Sequence, residues 1–347
     1  MPELPEVESI RRSLCPLLEG RKLLRILHFT AHCWSEDEGL ALQLPLALGR
    51  LERWGKYLLL ELKAGPQAES MLSPVQKKGA STAPSSGTTV KTGLTQLAPP
   101  LCLIHLRMTG KVLHYKAEDA NFPLAPYLPL PVAHGGGQAD MDPELLQHCT
   151  SAHIHWAWEL DDKSWLIYQD SRRFGGLRLC ARFPELKLGP DALNKLPGPA
   201  AWKELCQRHP RLQAKAFLLR QDLLAGLGNI YSDELLFRAG IHPEQALAEL
   251  SSRRLEMLRQ HIPGLLEEAI GLGGSSFSDY VNGLGKKGQF QLSLQVYGRR
   301  GQVCHRCGRR LKSLQVAGRS TVFCPHCQPR RYRKRRSCSA ESAALPK

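Results

Sequence analysis

Four cysteines near the C-terminus carry the clearest chemistry in this sequence. Cys304 and Cys307 form one C-x2-C pair, Cys324 and Cys327 another, with sixteen residues between the pairs. Each pair can aim two thiolates at one ion. The spacing matches a four-cysteine zinc site with strands between the pairs. Protein fills all four ligand positions, so one Zn2+ per chain is expected, structural rather than catalytic. The competing reading is four coincidental thiols. The same stretch is basic: Arg299, Arg300, Arg306, Arg309, Arg310, Lys312 and Arg319 lie in or beside it, and 299–328 holds no Asp or Glu. An arginine-studded zinc hairpin suits a phosphate backbone. A zinc-stabilised protein-binding module is the alternative.

The whole chain shares that charge. Its 347 residues carry a formal net charge of +15, which points to a polyanionic partner, nucleic acid first and a membrane surface second. The length suffices for two ordinary domains and extra segments, and a hydrophobic content of 42% is ordinary for a globular protein. No uncharged apolar run reaches the ~18 residues of a membrane span, and the acidic start MPELPEVE is no signal peptide. A cytoplasmic protein is expected. The other seven cysteines, Cys15, Cys33, Cys102, Cys149, Cys180, Cys206 and Cys338, are scattered, so no disulfide framework is expected.

The elements that must position these residues show in the periodicity. Residues 6–19 read as an amphipathic helix with Val7, Ile10, Leu14 and Leu17 on one face. Pro16 ends or bends it. Strand patterns follow at Leu23–Phe29, Leu46–Trp54, Tyr57–Leu62, Leu101–Met108, Lys111–Tyr115, His153–Leu160, Ser164–Asp170 and Gly176–Leu179, the pattern of a sheet sandwich. Residues 64–100 and 117–150 interrupt them, rich in Ser, Thr, Gly and Pro, and read as exposed insertions with little fixed structure. LGPDALNKLPGP, around 188–199, reads as a linker. Helical patterns then dominate: Trp202–Gln207, Leu212–Leu224, Ile230–Ala239, Ala246–Gln260 and Ile262–Leu272. A Gly-rich loop separates them from the cysteine cluster. Gly226-Leu227-Gly228-Asn229 opens the third of these helices without the strand and G-x-G-x-x-G of a dinucleotide site. It can present N–H groups to a phosphate or serve as a plain packing turn.

Four separated pieces in one order resemble the formamidopyrimidine-DNA glycosylase family. They are MPELPEVE, Lys56 in GKYLLLEL, GLGNIYSDELLFRAGIHP and the zinc hairpin. The resemblance covers nearly the whole chain except 64–100, 117–150 and the tail. It implies an α+β fold: an N-terminal helix and two-layer β-sandwich (1–188, with insertions 64–100 and 117–150), a linker (189–200), a helix–two-turns–helix domain (201–298), a zinc finger (299–328) and a basic tail (329–347). It also implies a monomer that works on duplex DNA containing oxidised purines or abasic sites, in a bacterial cytoplasm.

The resemblance assigns roles residue by residue. Pro2, exposed once Met1 is removed, is the nucleophile, Glu3 the proton donor and acceptor, and Glu6 a supporting carboxylate. An α-amine has a pKa of about 7.7–8.0, so a sizeable fraction is neutral and can attack a sugar C1′. Lys56 and Arg319 touch phosphates beside the lesion and donate protons during strand cleavage. Met108, Arg172 and Phe174 fill the hole left by a flipped base. Asn229 pairs with Arg319 on a phosphate, and Lys215 is a further backbone contact. The loop 273–290 caps the lesion. Without the resemblance each of these has a plainer reading: Pro2, Glu3 and Glu6 as an ordinary helix start, Lys56 as a surface lysine, Met108 and Phe174 as core.

The chain departs from the family pattern at Ser171, Ser275, Ser276, Lys287 and Gln289, mostly in the capping loop where the base is read. Leu4 argues against the pyrimidine-directed endonuclease VIII branch, which typically has Gly there. Two further rivals remain, a non-catalytic damage-binding protein and a zinc-module RNA-binding protein.

Overall fold

The computed structural model describes residues 1–37, 40, 42–63, 100–128, 142–277 and 279–330. Residues 64–99 of the insertion 64–100, 129–141 of the insertion 117–150 and 331–347 of the basic tail lie outside the described residues. The chain divides into two compact units. The first holds Met1–Leu196, Arg220–Gly228 and Ile262–Leu294; the second holds Pro197–Leu219, Asn229–His261 and the chain from Gln295.

The first unit begins with helix α1 (Leu4–Leu18). Glu3 caps it, and the Glu6 carboxylate reaches back to the Glu3 N–H at 2.8 Å, a capping box with Pro5 in the first turn. Val7, Ile10, Leu14 and Leu18 face the core. Leu18 takes the place expected for Leu17, because four residues match the helical repeat better than three at that point.

Nine strands follow: β1 (Lys22–His28), β2 (Trp34–Glu36), β3 (Leu46–Trp54), β4 (Tyr57–Lys63), β5 (Leu101–His105), β6 (Lys111–Lys116), β7 (Ile154–Leu160), β8 (Ser164–Gln169) and β9 (Gly176–Cys180). They form one ladder in the order β2-β9-β5-β4-β3-β1-β7-β8-β6, antiparallel except for β2 against β9. The two wings join at β1 and β3, where Lys22 pairs with Ala47 and Leu23 with Leu46. Leu48, Leu58, Leu60, Ile104 and Leu177 of one wing share a core with Val112, Trp156, Trp158, Leu166 and Tyr168 of the other. The sandwich is therefore a single sheet folded on itself, with α1 in its core.

Residues 117–150 differ from the sequence expectation. Their described parts are ordered: a 3-10 turn at Ala125–Tyr127 and helix α2 (Pro143–Ser151), capped by Asp142 and started by Pro143. Phe122, Leu124, Leu145 and Cys149 pack against Leu27, Phe29, Ala157, Trp165 and Ile167. Leu27, Ala157, Trp165 and Ile167 alternate along their strands with residues facing the main core, so they stand on the outer face of the sheet, and the insertion covers that apolar face.

The second unit is built on α3 (Pro199–Arg208), α4 (Ala214–Leu219) and α5 (Asn229–Arg238), with the hairpin β10 (Lys312–Val316) and β11 (Arg319–Phe323). The helix expected over 212–224 shrinks to α4. Beyond it Leu223 and Leu224 both donate to the Arg220 carbonyl, and Gln221 turns back to Gly226 and Leu227. The two helices expected over 246–272 are instead one helix, α6 (Ser252–Gly271), running through Pro263. Its apolar stripe of Leu258, Ile262, Leu265, Leu266 and Ala269, all buried, continues across the proline, and that burial outweighs one lost backbone hydrogen bond. Among the described residues no helix is long and apolar enough to cross a membrane.

Candidate functional site

The chain start is held from several sides within the first unit. Pro2 is buried, whereas Met1 is 49% exposed. Glu3 is 3% exposed and sits at the mouth of α1. One Glu6 oxygen accepts the Glu3 N–H and the other accepts the Ser275 N–H at 2.7 Å. The Tyr280 hydroxyl donates to the Glu6 carbonyl at 3.0 Å. Loop 273–290 is thus tied to the helix carrying Glu3. Ser276 closes the loop on itself: its hydroxyl accepts the Gly288 N–H and donates to the Tyr280 carbonyl. Phe277 and Leu284 of this loop are exposed.

The glycines of Gly226-Leu227-Gly228 serve the same start. The Leu4 N–H donates to the Gly226 carbonyl at 3.0 Å. A Cβ at Gly226 would lie 2.4 Å from the Leu4 side chain, and one at Gly228 2.4 Å from the Glu3 carboxyl carbon. Both glycines allow close packing against the N-terminal residues.

Lys56 occupies the two-residue turn between β3 and β4. Trp54 pairs with Tyr57, and Gly55 supplies the positive φ, 58°, that such a turn requires. Lys56 is 7% exposed. Beside it stands His105, which the sequence reading passed over. Burial and then the Arg107 and Lys56 charges push its pKa down to about 3, so the ring is neutral at pH 7. Its Nδ1 accepts the Arg107 N–H, and the ring meets Tyr57 edge-on at 4.3 Å.

Also missed was a buried charged cluster behind the Lys56 turn. Arg53 pairs with Asp191 through both terminal nitrogens, at 2.5 and 3.0 Å, and with Glu8 through Nε at 3.0 Å. The supposed linker around Asp191 is thereby fastened to β3. Burial raises the Glu8 pKa, but the hydrogen bond from Arg11 and the charges of Arg53 and Arg11 outweigh it and hold the carboxyl at about 2. A carboxylate depressed on folding stabilises the fold above its unfolded pKa of about 4.5, and that contribution fades as pH falls towards about 2. It is at most about 3 kcal/mol. Chemical melts of the protein and of Glu8→Gln are expected to differ most at pH 6–7 and to converge towards pH 3. A gap that stays constant over that range would refute this origin of acid lability.

Met108, Arg172 and Phe174 meet at the surface of the first unit. The Arg172 guanidinium lies 3.5 Å from the Met108 sulfur and 5.1 Å from the centre of the Phe174 ring. Met108 is 45% and Phe174 57% exposed, so neither is a core residue. Their two loops share one anchor, the buried Asp170. It accepts the Thr109 hydroxyl at 2.5 Å and the Arg172 and Gly175 N–H groups at 3.1 and 2.8 Å. Burial pushes its carboxyl up, yet these hydrogen bonds outweigh it and hold the pKa below the ordinary value. The pinned loops keep two apolar side chains and one cation facing water, an arrangement suited to wedging between bases.

Asn229 and Arg319 come together in the second unit. Ala317 and Gly318, both at positive φ, make the tight β10–β11 turn and leave Arg319 exposed just after it. The Asn229 amide donates to the carbonyl of the next residue, Ser320, at 3.0 Å. Lys215 corrects the sequence expectation. It is fully buried, with Nζ 2.7 Å from Asp233, 2.7 Å from the Thr321 hydroxyl and 3.1 Å from the Ser320 carbonyl. A DNA phosphate has no access to it. It ties α4, α5 and β11 together instead. Burial pushes the Asp233 pKa up to about 7, against the pull of the Lys215 charge.

The four cysteine sulfurs, Cys304, Cys307, Cys324 and Cys327, lie within 4.8 Å of one another. Across the cluster, Cys304 is 3.9 Å from Cys327 and Cys307 3.5 Å from Cys324. Tetrahedral zinc at ~2.3 Å from each sulfur requires separations of about 3.8 Å. The cluster fits one Zn2+ held by four thiolates.

Comparisons with known proteins agree with this arrangement. The model of the formamidopyrimidine-DNA glycosylase N-terminal domain matches residues 1–177, and that of the formamidopyrimidine-DNA glycosylase H2TH domain matches 188–281. A zinc finger found in FPG and IleRS matches 301–330. The formamidopyrimidine-DNA glycosylase of Geobacillus kaustophilus is 34% identical over 338 residues, covering 94% of this chain and all of that protein. Two structures of the Lactococcus lactis protein are similar. One, of a variant in complex with a Fapy-dG containing DNA, has TM-score 0.69 and 30% identity, over 95% of this chain and all of that one. The other, with an abasic site containing DNA, has TM-score 0.67 and 28% identity, over 94% of this chain and all of that one. With its N-terminal, H2TH and zinc-finger segments in order, the chain belongs to the formamidopyrimidine-DNA glycosylase family of enzymes.

Proposed function

We propose that this chain is a bifunctional DNA glycosylase and abasic-site lyase of base excision repair, acting on 8-oxoguanine and formamidopyrimidines in duplex DNA. The Pro2 amine attacks C1′ of the damaged nucleotide, and the bond from C1′ to the base breaks. Glu3 protonates the sugar oxygen or the leaving base and later moves protons back. The adduct on a secondary amine is an iminium, an electron sink that acidifies the C2′ proton. Loss of that proton expels the 3′ phosphate, and a second elimination expels the 5′ phosphate. Lys56 and Arg319 contact these phosphates and supply protons to them; Asn229 shares the phosphate with Arg319. Met108, Arg172 and Phe174 fill the duplex where the base was extruded. The zinc holds the hairpin that presents Arg319 and takes no part in bond breaking.

The observation that carries this reading is the N-terminal arrangement: a buried Pro2 next to a buried Glu3, capped only by an exposed Met1. We further propose that the enzyme acts as a monomer in the bacterial cytoplasm, at the nucleoid. Its domains would run 1–188, 201–298 with the capping loop 273–290, and 299–328. The test compares matched duplexes carrying 8-oxoguanine opposite cytosine, thymine glycol, or a preformed abasic site. Excision of 8-oxoguanine with cleavage at the abasic site is expected. Thymine glycol excised with 8-oxoguanine untouched would move the chain to pyrimidine lesions. Binding without any cleavage would leave a damage-binding protein.

A further inference from the structure

We infer that Arg53, through Asp191, is a positioning residue that sets Lys56 relative to the N-terminal Pro2 and Glu3. The inference rests on the roles proposed above for those three residues. One guanidinium, with no exposed surface, sits at the centre of the contacts. Its Nε holds Glu8 on α1 at 3.0 Å, and Nη1 and Nη2 hold the two Asp191 oxygens. Nη1 also donates to the Gly55 carbonyl at 3.0 Å, while the Gly55 N–H donates to Asp191 at 2.8 Å. Both polar backbone groups of the residue before Lys56 are therefore engaged by one ion pair. A two-residue turn whose first residue is fixed at both its N–H and its carbonyl has little freedom left at the second.

The other side of the pair closes a ring back to the chain start. Asp191 bridges Ala225, and the Ala225 N–H donates to the Pro190 carbonyl at 2.9 Å. The next residue, Gly226, accepts the Leu4 N–H, and Leu4 and Glu8 lie on the same helix. Arg53 thus stands where α1, the Lys56 turn and the segment under the N-terminus converge, all within the first unit. A simple tie between β3 and the 191 segment would need only the bidentate contact. The additional bonds to Gly55 and Glu8 join the two elements that carry the proposed chemistry. A lysine cannot reproduce this, because the ammonium lacks the planar fork.

The test is single-turnover strand cleavage of a duplex with a preformed abasic site by Arg53→Lys, measured well below its melting temperature and at saturating protein. The rate of strand cleavage is expected to fall by about ten- to a hundredfold. Affinity for a duplex with a non-cleavable tetrahydrofuran site should change less than about threefold. The same measurements on Lys56→Ala and on the double variant decide the route. An effect of Arg53→Lys that vanishes when Lys56 is already alanine supports positioning through Lys56. An equal effect in both backgrounds overturns it and leaves Arg53 a structural residue. A Lys56→Ala protein of normal rate would instead bring down the role proposed for Lys56, and this inference with it. Should Arg53→Lys fail to fold, Asp191→Asn is read by the same cycle, since it weakens the fork and keeps the shape.

Discussion

Glu3→Gln is expected to lose base removal by at least about a hundredfold while keeping its grip on damaged DNA, the range seen when a positioned general acid or base is removed. The substitution isolates chemistry from folding. Glutamine keeps the size of glutamate, and the capping bond from the Glu3 N–H to the Glu6 carboxylate involves only the backbone of residue 3. The buried pocket against Gly228 tolerates no larger group, and none is added. What disappears is a proton that can be given and taken back. Single-turnover release of 8-oxoguanine and affinity for a tetrahydrofuran duplex, measured on the same preparation, separate the two. Excision at the normal rate by the variant would remove Glu3 from the acid/base role.

Cys324→Ser should cost both the zinc and most of the affinity for DNA. Cys324 is fully buried, in a small core with Phe237, Val296, Leu311 and Val322. That core is too slight to stand without its ion. Structural zinc sites of this kind contribute on the order of 10 kcal/mol to the folding of the segment that holds them. On the proposed reading the consequence reaches DNA through the hairpin: β11 carries Arg319, and the Ser320 carbonyl beside it is the point to which Asn229 and Lys215 are tied. Zinc content is expected to drop from one per chain to near zero, and affinity to fall about tenfold or more, as one or more desolvated charge contacts are lost. Full binding by a zinc-free variant would show that the hairpin is not part of the DNA surface.

How much of this was legible beforehand depends on the kind of signal. Strand β3 was read to its last residue, because Pro45 and Gly55 bracket a run in which buried and less buried residues interleave. The zinc cluster was equally plain, since spacing alone brings the thiolates together. Strand β2 left no trace: three residues pairing in parallel at a sheet edge make no periodic pattern. Helix α2 was hidden inside a proline-rich stretch whose apolar residues matter only once a sheet face needs cover. Lys215 shows the limit most clearly. A lysine facing a phosphate and a lysine facing Asp233 are the same letter, and only burial tells them apart. For the same reason Arg53, His105 and Asp170 went unnoticed, although each organises residues that the motifs did reveal. The proposed nucleophile came from resemblance, for nothing in the periodicity separates a reactive Pro2 from an ordinary helix start.

That nucleophile is the centre of the account, and one measurement addresses it directly. The protein, with Met1 removed and zinc bound, is incubated with a duplex carrying 8-oxoguanine opposite cytosine in the presence of borohydride, and the cross-linked residue is mapped by mass spectrometry. A reduced covalent adduct on the nitrogen of Pro2 is the expected result. An adduct mapped to Lys56 or another lysine, or none with either this lesion or an abasic site from protein that still binds, would contradict it.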